Sequence, residues 1–349
     1  MLSITLYDLR LRARQFLIAV VGAALVFAIG LLNAGLANSF KAEVNRFAAG
    51  IGADRWVLPV GSSGPMTSFA SLPNADVARV RALPGVTEAD PIITVPYETV
   101  HVGTQAKSGT LLGFVPGGIG DVKPSTGVDA TGAGQAVVDS RLGLKVGAQF
   151  TIAGHALTVV GVTKGRTING GVAIVAVPIE DARAIVFAGN AFESAIVTRG
   201  APVALPAELH AITTKQVRDD TLRPLRSPMS SLVKSMEMMW LIAAVIVAAL
   251  LYVSALERVR DFAVLKAIGS NNFSIFAGVA LQSVIVTLLG ALIAAATANL
   301  LKPMFPLPVA IPTWAFVSLP LVAVAVGILS SLVALRRAVS VDPSLAFAA

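Results

Sequence analysis

The sequence predicts an α-helical membrane protein with four transmembrane helices plus a mixed α/β extracytoplasmic domain inserted between helices 1 and 2. Three observations carry that prediction. Of 349 residues, 55% are hydrophobic and only 13% charged, whereas an ordinary soluble globule carries about 25% charged residues. Charge is excluded from four long runs, 15–40, 238–256, 267–301 and 303–335, of 26, 19, 35 and 33 residues. Between the first two, the 194 residues 41–234 hold 18 basic and 15 acidic side chains and strand-like patterns. There is no cysteine, so disulfides, a thiolate nucleophile and a Cys-type zinc site are excluded.

At the start of the chain, Leu2, Leu6, Leu9, Ala13 and Phe16 recur at helical spacing, with Ile4, Tyr7 and Leu11 on the opposite face. This predicts a cytoplasmic amphipathic helix over 1–14, lying along the inner leaflet. Transmembrane helix 1 is predicted over 15–40, since a span needs about 20 apolar residues. Its basic start and the run Ala34-Gly35-Leu36-Ala37 resemble a signal peptide. A signal core, however, is about 7–15 residues long, and the stretch 16–36 is long enough to span and stay.

Residues 41–234 read as a domain large enough to bury its own core. Strands are predicted over 55–60, 86–102, 109–115, 135–139, 149–152, 156–163, 171–177 and 192–198. A helix is predicted over 74–83, with Asn74 as N-cap, Val77, Val80 and Leu83 on one face, and Pro84-Gly85 as its stop. Gly154-His155 marks a hairpin turn, and the glycine-rich stretch 116–134 a loop or subdomain boundary.

Transmembrane helix 2 is predicted over 235–256, a cytoplasmic helix over 257–272, helix 3 over 273–301, and helix 4 over 313–335. Pro303, Pro306, Pro308 and Pro312 forbid a helix between the last two, so 302–312 is a short outer loop. Arg10, Arg12, Arg14, Arg258, Arg260, Lys266, Arg336 and Arg337 all fall on one side of these spans, and Lys302 alone marks the short loop opposite. By the positive-inside rule both termini, including the tail 336–349, are cytoplasmic and 41–234 lies outside. Trp240 and Trp314 fall at outer span ends and Tyr252 near an inner one, as interfacial aromatics do. The net charge of +7 is therefore an orientation signal, and no basic patch for nucleic acid emerges.

Catalytic signatures are missing. No GxxxxGK[ST] loop is present to cradle ATP; the nearest stretch, Gly161 to Thr167, has the wrong spacing and reads as a strand-end turn. His101, His155 and His210 are far apart and fit no metal-ligand spacing. Ser62-Ser63-Gly64 and Ser230-Ser231 lack a nucleophile-elbow pattern and read as loop and helix-start residues. The spans hold no ionisable residue of the kind that ion-coupled transporters keep. Gln282, Ser283, Thr287, Ser318, Ser330 and Ser331 are expected to hydrogen-bond between helices, and Gly22, Gly30, Gly35, Gly278 and Gly290 to let helices approach.

The link between spans two and three reads Leu256-Glu257-Arg258-Val259-Arg260-Asp261-Phe262-Ala263-Val264-Leu265-Lys266-Ala267-Ile268-Gly269-Ser270. On a helix, Val259, Phe262, Ala263 and Ala267 make one apolar side, while Val264 and Ile268 interrupt the charged side. A solvated or membrane-surface helix would keep its polar side free of them, so a second protein contact is expected. Gly269 ends the helix as a C-cap.

This segment resembles the ER-x-R-[DE]-[FI]-[AG]-V-L-[RK]-A-[IL]-G signature of FtsX/MacB/LolC-type ABC transporter permeases. Leu83-Pro84-Gly85-Val86, Gly143-Leu144-Lys145-Val146-Gly147 and the ending Asp342-Pro343-Ser344-Leu345-Ala346 are also similar to that family, and Ala53-Asp54-Arg55-Trp56-Val57-Leu58-Pro59 to its DevC-like branch. The resemblance implies a permease subunit in the bacterial cytoplasmic membrane, not itself an enzyme, working as a homodimer with a separate cytoplasmic ATPase that holds ATP and Mg. It implies export or extraction of a lipid, lipoprotein, peptide or drug by mechanotransmission. Glu257, Arg258, Arg260, Asp261, Val264, Lys266, Ile268 and Gly269 would couple to the ATPase, with no catalytic, cofactor or metal residue in this chain. Another reading is a force transmitter that acts on an extracytoplasmic partner such as a cell-wall hydrolase. A nutrient importer is disfavoured, because the importer signature E-A-A-x3-G is absent.

Overall fold

In hydrocarbon a backbone must satisfy its own polar groups, and a helix is how a single uncharged run does so. The computed structural model describes residues 13–69, 71–257, 261, 264, 268–269, 271–305 and 308–339. In chain order it has α1 (Ala13–Ile51), β1 (Arg55–Pro59), β2 (Leu72–Pro73), α2 (Ala75–Arg81), β3 (Val86–Val102), β4 (Gln105–Phe114), β5 (Thr126–Gly127) and β6 (Gln135–Asp139). There follow β7 (Gln149–Ile152), β8 (His155–Thr163), β9 (Thr167–Ile168), β10 (Val172–Pro178), α3 (Ile179–Phe187), β11 (Phe192–Glu193), β12 (Ala195–Gly200), β13 (Leu209–Thr213) and α4 (Thr214–Thr221). The chain closes with α5 (Arg226–Glu257), α6 (Asn272–Leu301) and α7 (Thr313–Val339). Among the described residues, four helical stretches are long and apolar enough to cross a bilayer: Phe16–Ile51, Arg226–Glu257, Phe273–Met304 and Thr313–Leu332. Residues 1–12 of the predicted amphipathic helix and the Asp342–Ala346 motif fall outside the described residues, and Ala13 and Arg14 belong to α1. Two compact units result, Met1–Ser39 with Pro228–Ala349, and Phe40–Ser227.

In the helical unit, small residues set the helix spacing. A Cβ on Gly30 would rest 3.5 Å from Trp240 Nε1, and one on Gly290 3.2 Å from Ala23 Cβ. Gly22 meets Ile246, and Gly35 meets Val309 and Ile311 of the loop before α7. Gly278 departs from expectation, since its open side faces nothing within 4 Å, whereas Gly327 lies 2.9 Å from Thr287 Oγ1 and Val284 Cα. The hydroxyls also differ from expectation. Thr287, Ser318 and Ser331 donate to carbonyls of their own helix, because in apolar surroundings the preceding turn offers the nearest acceptor. Ser330 does cross, donating to Ala244 O at 3.0 Å, while buried Ser283 Oγ has no hydrogen-bond partner among the described residues.

Further polar contacts between elements cluster near Ser39. Asn33 Nδ2 donates to Ser235 Oγ at 3.2 Å and Asn38 Nδ2 to Ala310 O at 2.8 Å. Ser39 Oγ lies 2.7 Å from the carbonyls of Gly35 and Pro308 and accepts from Ala310 N at 2.9 Å. The proline-rich loop is thereby held against α1. Pro320, inside α7, leaves its helix unbroken, as membrane helices tolerate.

The second unit grows from alternation of side chains along its strands. Strands β13, β1, β12 and β3 form an antiparallel sheet. From β3 the pairing continues through β4, β10, β6, β8 and β7, and β7 pairs back onto β3 through Val100–Ile152 and His101–Thr151. Six strands therefore close into a barrel, with β3 shared between barrel and sheet. At 17 residues, or about 56 Å, β3 is long enough for both. Its ladder to β4 shifts between Val95 and Glu98. Pro96 there lacks an N–H, and Tyr97 takes φ 60°.

The two faces of these strands bury different cores. Ala173, Val175 and Val177 of β10 point into the barrel with Ala136, Val138, Phe150, Ile152 and Val159. The alternate residues Ile174 and Ala176 face a second core, shared with Trp56, Leu58, Val197 and the α1 residues Phe47 and Ile51. A third, of Val57, Val77, Val80, Ala89 and Ile196, seats α2 on the far face of the sheet.

Most predicted elements appear, with shifted ends. The strand expected over 192–198 divides into β11 and β12, and β2, β5, β9, β13, α3 and α4 were not anticipated. The hairpin turn centres on Ala153 and Gly154, both at positive φ (48° and 83°). Asn74 does not cap α2 with its side chain. Its Oδ1 accepts from Arg183 Nη2 at 3.0 Å instead, because buried Arg183 needs acceptors beyond its ion pairs with Glu193 and Glu180. Burial raises the Glu193 pKa above the usual carboxylate range, and Arg183 offsets part of that.

Gly327→Ala should destabilise the helical unit by about 1–3 kcal/mol through overpacking, and Gly278→Ala should be close to neutral. Thermal unfolding of the full chain in detergent checks this; equal midpoints for the two variants would contradict the packing.

Candidate coupling segment and α1 anchor

Of the eight residues expected to couple to an ATPase, Glu257, Asp261, Val264, Ile268 and Gly269 are described; Arg258, Arg260 and Lys266 lie outside the described residues. Val264 and Ile268 stand one helical turn apart, with Ile268 N donating to Val264 O at 3.1 Å. They are 43% and 77% exposed. Gly269 takes φ 95°, a left-handed conformation that ends a helix at little cost only for glycine. Asn271 then caps α6, accepting from Phe273 N at 3.4 Å. Phe273 is 72% exposed, with its ring 6.4 Å from that of Phe276. The segment thus offers apolar side chains at a position where a solvated helix would carry polar ones.

The residues screened for chemistry are dispersed. His101, His155 and His210 stand on β3, β8 and β13, and among the described residues no three His, Cys, Asp or Glu side chains gather into a metal-holding group. The Gly161–Thr167 stretch runs from the end of β8 into β9. Asp181 accepts from Gly134 N at 2.9 Å, and burial holds its carboxyl above the usual range.

One polar constellation was missed from sequence. Beyond Phe40, α1 buries Glu43 with Val44, Phe47, Ala48 and Ile51. The Glu43 carboxylate accepts from Thr167 Oγ1 at 2.5 Å, Gly170 N at 3.0 Å and Gly171 N at 3.2 Å. Thr167 belongs to β9, and the two amides come from the turn joining β9 to β10, where Asn169, Gly170 and Gly171 take φ 54°, 87° and 93°. The turn brings the Gly170 and Gly171 N–H groups to one side, where both meet Glu43 Oε2, and so forms an anion-binding nest. Two signals were available: an acidic residue on an apolar helical stripe, and the Asn-Gly-Gly turn.

Comparison with known proteins places these features in context. Residues 16–215 match the MacB-like periplasmic core domain family, and residues 235–343 the FtsX-like permease C-terminal family. Proteins named as uncharacterized ABC transporter permeases are similar along their whole length. One from Mycobacterium bovis is 35% identical over 347 residues, and one from Mycobacterium tuberculosis 33%, each match covering 99% of both chains. Among solved structures, the periplasmic region of MacB from Actinobacillus actinomycetemcomitans matches with a TM-score of 0.35 and 11% identity, over 52% of this chain and 98% of that one. The extracellular domain of the noncanonic ABC-type transporter YknZ from Gram-positive bacteria gives 0.33 and 16%, over 43% and 84%.

Proposed function

Because this chain belongs to the FtsX-like ABC transporter permeases with a MacB-like periplasmic core domain, a family that implies a partner ATPase, we propose that it is a mechanical permease subunit. Two copies work with a separate cytoplasmic ATPase, which binds ATP and Mg. Hydrolysis there drives export or extraction of a lipid, lipoprotein, peptide or drug by movement of the extracytoplasmic domain.

The observation that carries this reading is the exposed pair Val264 and Ile268. Burying two such side chains against another protein yields about 1.5–3 kcal/mol each. In water that gain is forgone, which a partner surface explains. Glu257, Arg258, Arg260, Asp261 and Lys266 flank the pair with both signs of charge and would set register and orientation at the contact. Gly269 stops the helix so that α6 can start from the Asn271 cap. Transmission is also suited by α1, which is helical from Ala13 to Ile51.

Orientation follows from charge: eight basic residues flank one side of the spans and Lys302 the short loop on the other. Both termini are assigned to the cytoplasm of a bacterial cell, and 41–234 to the outside.

The double variant Val264→Asp and Ile268→Asp should lose co-purification with the ATPase by at least about tenfold while membrane insertion stays intact. An unchanged yield of complex would sink the coupling assignment. Single cysteines, clean in a chain without native thiols, test topology. Ser125→Cys should react with an impermeant maleimide from outside intact cells and Ser270→Cys only from the inner face; the reverse pattern refutes the orientation.

A further inference from the structure

The permease reading requires that a displacement of α1 reach the extracytoplasmic domain, and the geometry points to Glu43 as the joint through which it does so. The inference rests on that reading and adds to it the residue and the strand that receive the movement.

Beyond Phe40, α1 belongs to the same compact unit as the barrel. Its stripe of Val44, Phe47, Ala48 and Ile51 packs as any amphipathic helix would. Glu43 interrupts that stripe and is only 1% exposed. A carboxylate at such a position is costly unless each oxygen is satisfied. Here Oε1 takes the Thr167 hydroxyl, and Oε2 takes the amides of Gly170 and Gly171. Packing alone would be served as well by leucine, so the charge must be explained by what it holds.

What it holds is one turn. The Phe40 ring lies against Gly170, and a Cβ on Gly50 would run into the Arg166 guanidinium. Contacts at Phe40, Glu43 and Gly50 therefore all grip residues 166–171. That turn opens directly into β10, which is bonded on one side to β4 and on the other to β6. Arg166 N in addition donates to buried Asp139 of β6 at 2.8 Å. A pull on the turn thus reaches three adjacent barrel strands.

The chemistry suits a joint. Apolar side chains slide past one another at little cost, whereas hydrogen bonds weaken steeply with misalignment, and those to a charged group are the stronger ones. Three charge-assisted bonds, two of them from a two-glycine nest, resist both lengthwise and sideways displacement of α1. Glu43 acts through the turn and touches no substrate; it is a positioning residue.

The test uses the full permease with its ATPase in lipid nanodiscs, read by amide hydrogen exchange with and without ATP trapped by vanadate. In the wild type, nucleotide trapping should change exchange in β10, β4 and β6. Glu43→Ala should speed exchange at Gly170 and Gly171 by about tenfold or more, leave the barrel interior at Val159 and Val175 protected, preserve basal ATP hydrolysis, and abolish the nucleotide-dependent change in the barrel. Glu43→Gln, which keeps an acceptor of the same length, should recover part of that change. If the wild-type barrel responds to nucleotide and Glu43→Ala responds equally, the joint is refuted while the permease reading survives. If the wild-type barrel does not respond at all, mechanical coupling itself fails. Should Glu43→Ala release the whole barrel, Thr167→Val, which deletes one donor only, decides: a reduced response supports the joint, and a full one overturns it.

Discussion

The rest of the structure depends on the demand that one helix satisfy two environments. From Gln15 to Ser39, α1 carries no charged residue, because hydrocarbon solvates charge poorly; beyond Phe40 it must present a polar face to water and an apolar face to a β-rich core. Both demands are met without interrupting the hydrogen-bond ladder. At the changeover, polar side chains follow one another along the helix: Asn33 and Asn38 donate neutral hydrogen bonds, Ser39 collects the loop backbone, Lys41 is exposed, and Glu43 is buried. The neutral groups come first and the charged ones after Phe40, and each buried one has a partner in its own unit.

A domain without disulfides needs stiffness from another source, and closure of the β3, β4, β10, β6, β8 and β7 strands supplies it. A closed barrel has no free edge to fray or to template aggregation. The tight interior adds to this. Gly109 and Gly113 face Val100, Val175 and Ala182 so closely that neither position admits a side chain. Sharing β3 between barrel and sheet joins two small cores through a single strand, and the bulge at Pro96 and Tyr97 lets that strand bend between them.

Much of this was legible in the sequence because its strongest signals are local. Charge exclusion gave the four apolar helices, period-two patterns gave most strands, and proline clustering gave the loop between α6 and α7. What was not legible depends on distant partners. No local pattern tells that Val100 pairs with Ile152, so barrel closure was out of reach. Asn74 has the composition of a cap, yet Arg183, 109 residues away, claims its side chain. Gly278 and Gly327 look alike in sequence, and only the packing of α6 against α7 separates them. The short elements β2, β5, β9 and β11 are two residues each, too short to show a period.

The proposed coupling segment and the proposed joint use opposite chemistries, and the difference follows from what each must do. A contact between separately synthesised chains must form from solution, and hydrophobic burial at Val264 and Ile268 supplies a non-directional attraction, with nearby charge to fix register. A joint within one chain has no association to drive, since covalent connection already brings its parts together. It must hold a fixed geometry under load, and for that a charged acceptor in a cage of oriented donors is better suited than any apolar surface. The same logic explains why the spans themselves can be chemically plain. If energy arrives from a partner and leaves through a backbone nest, the membrane interior needs only to keep its helices packed.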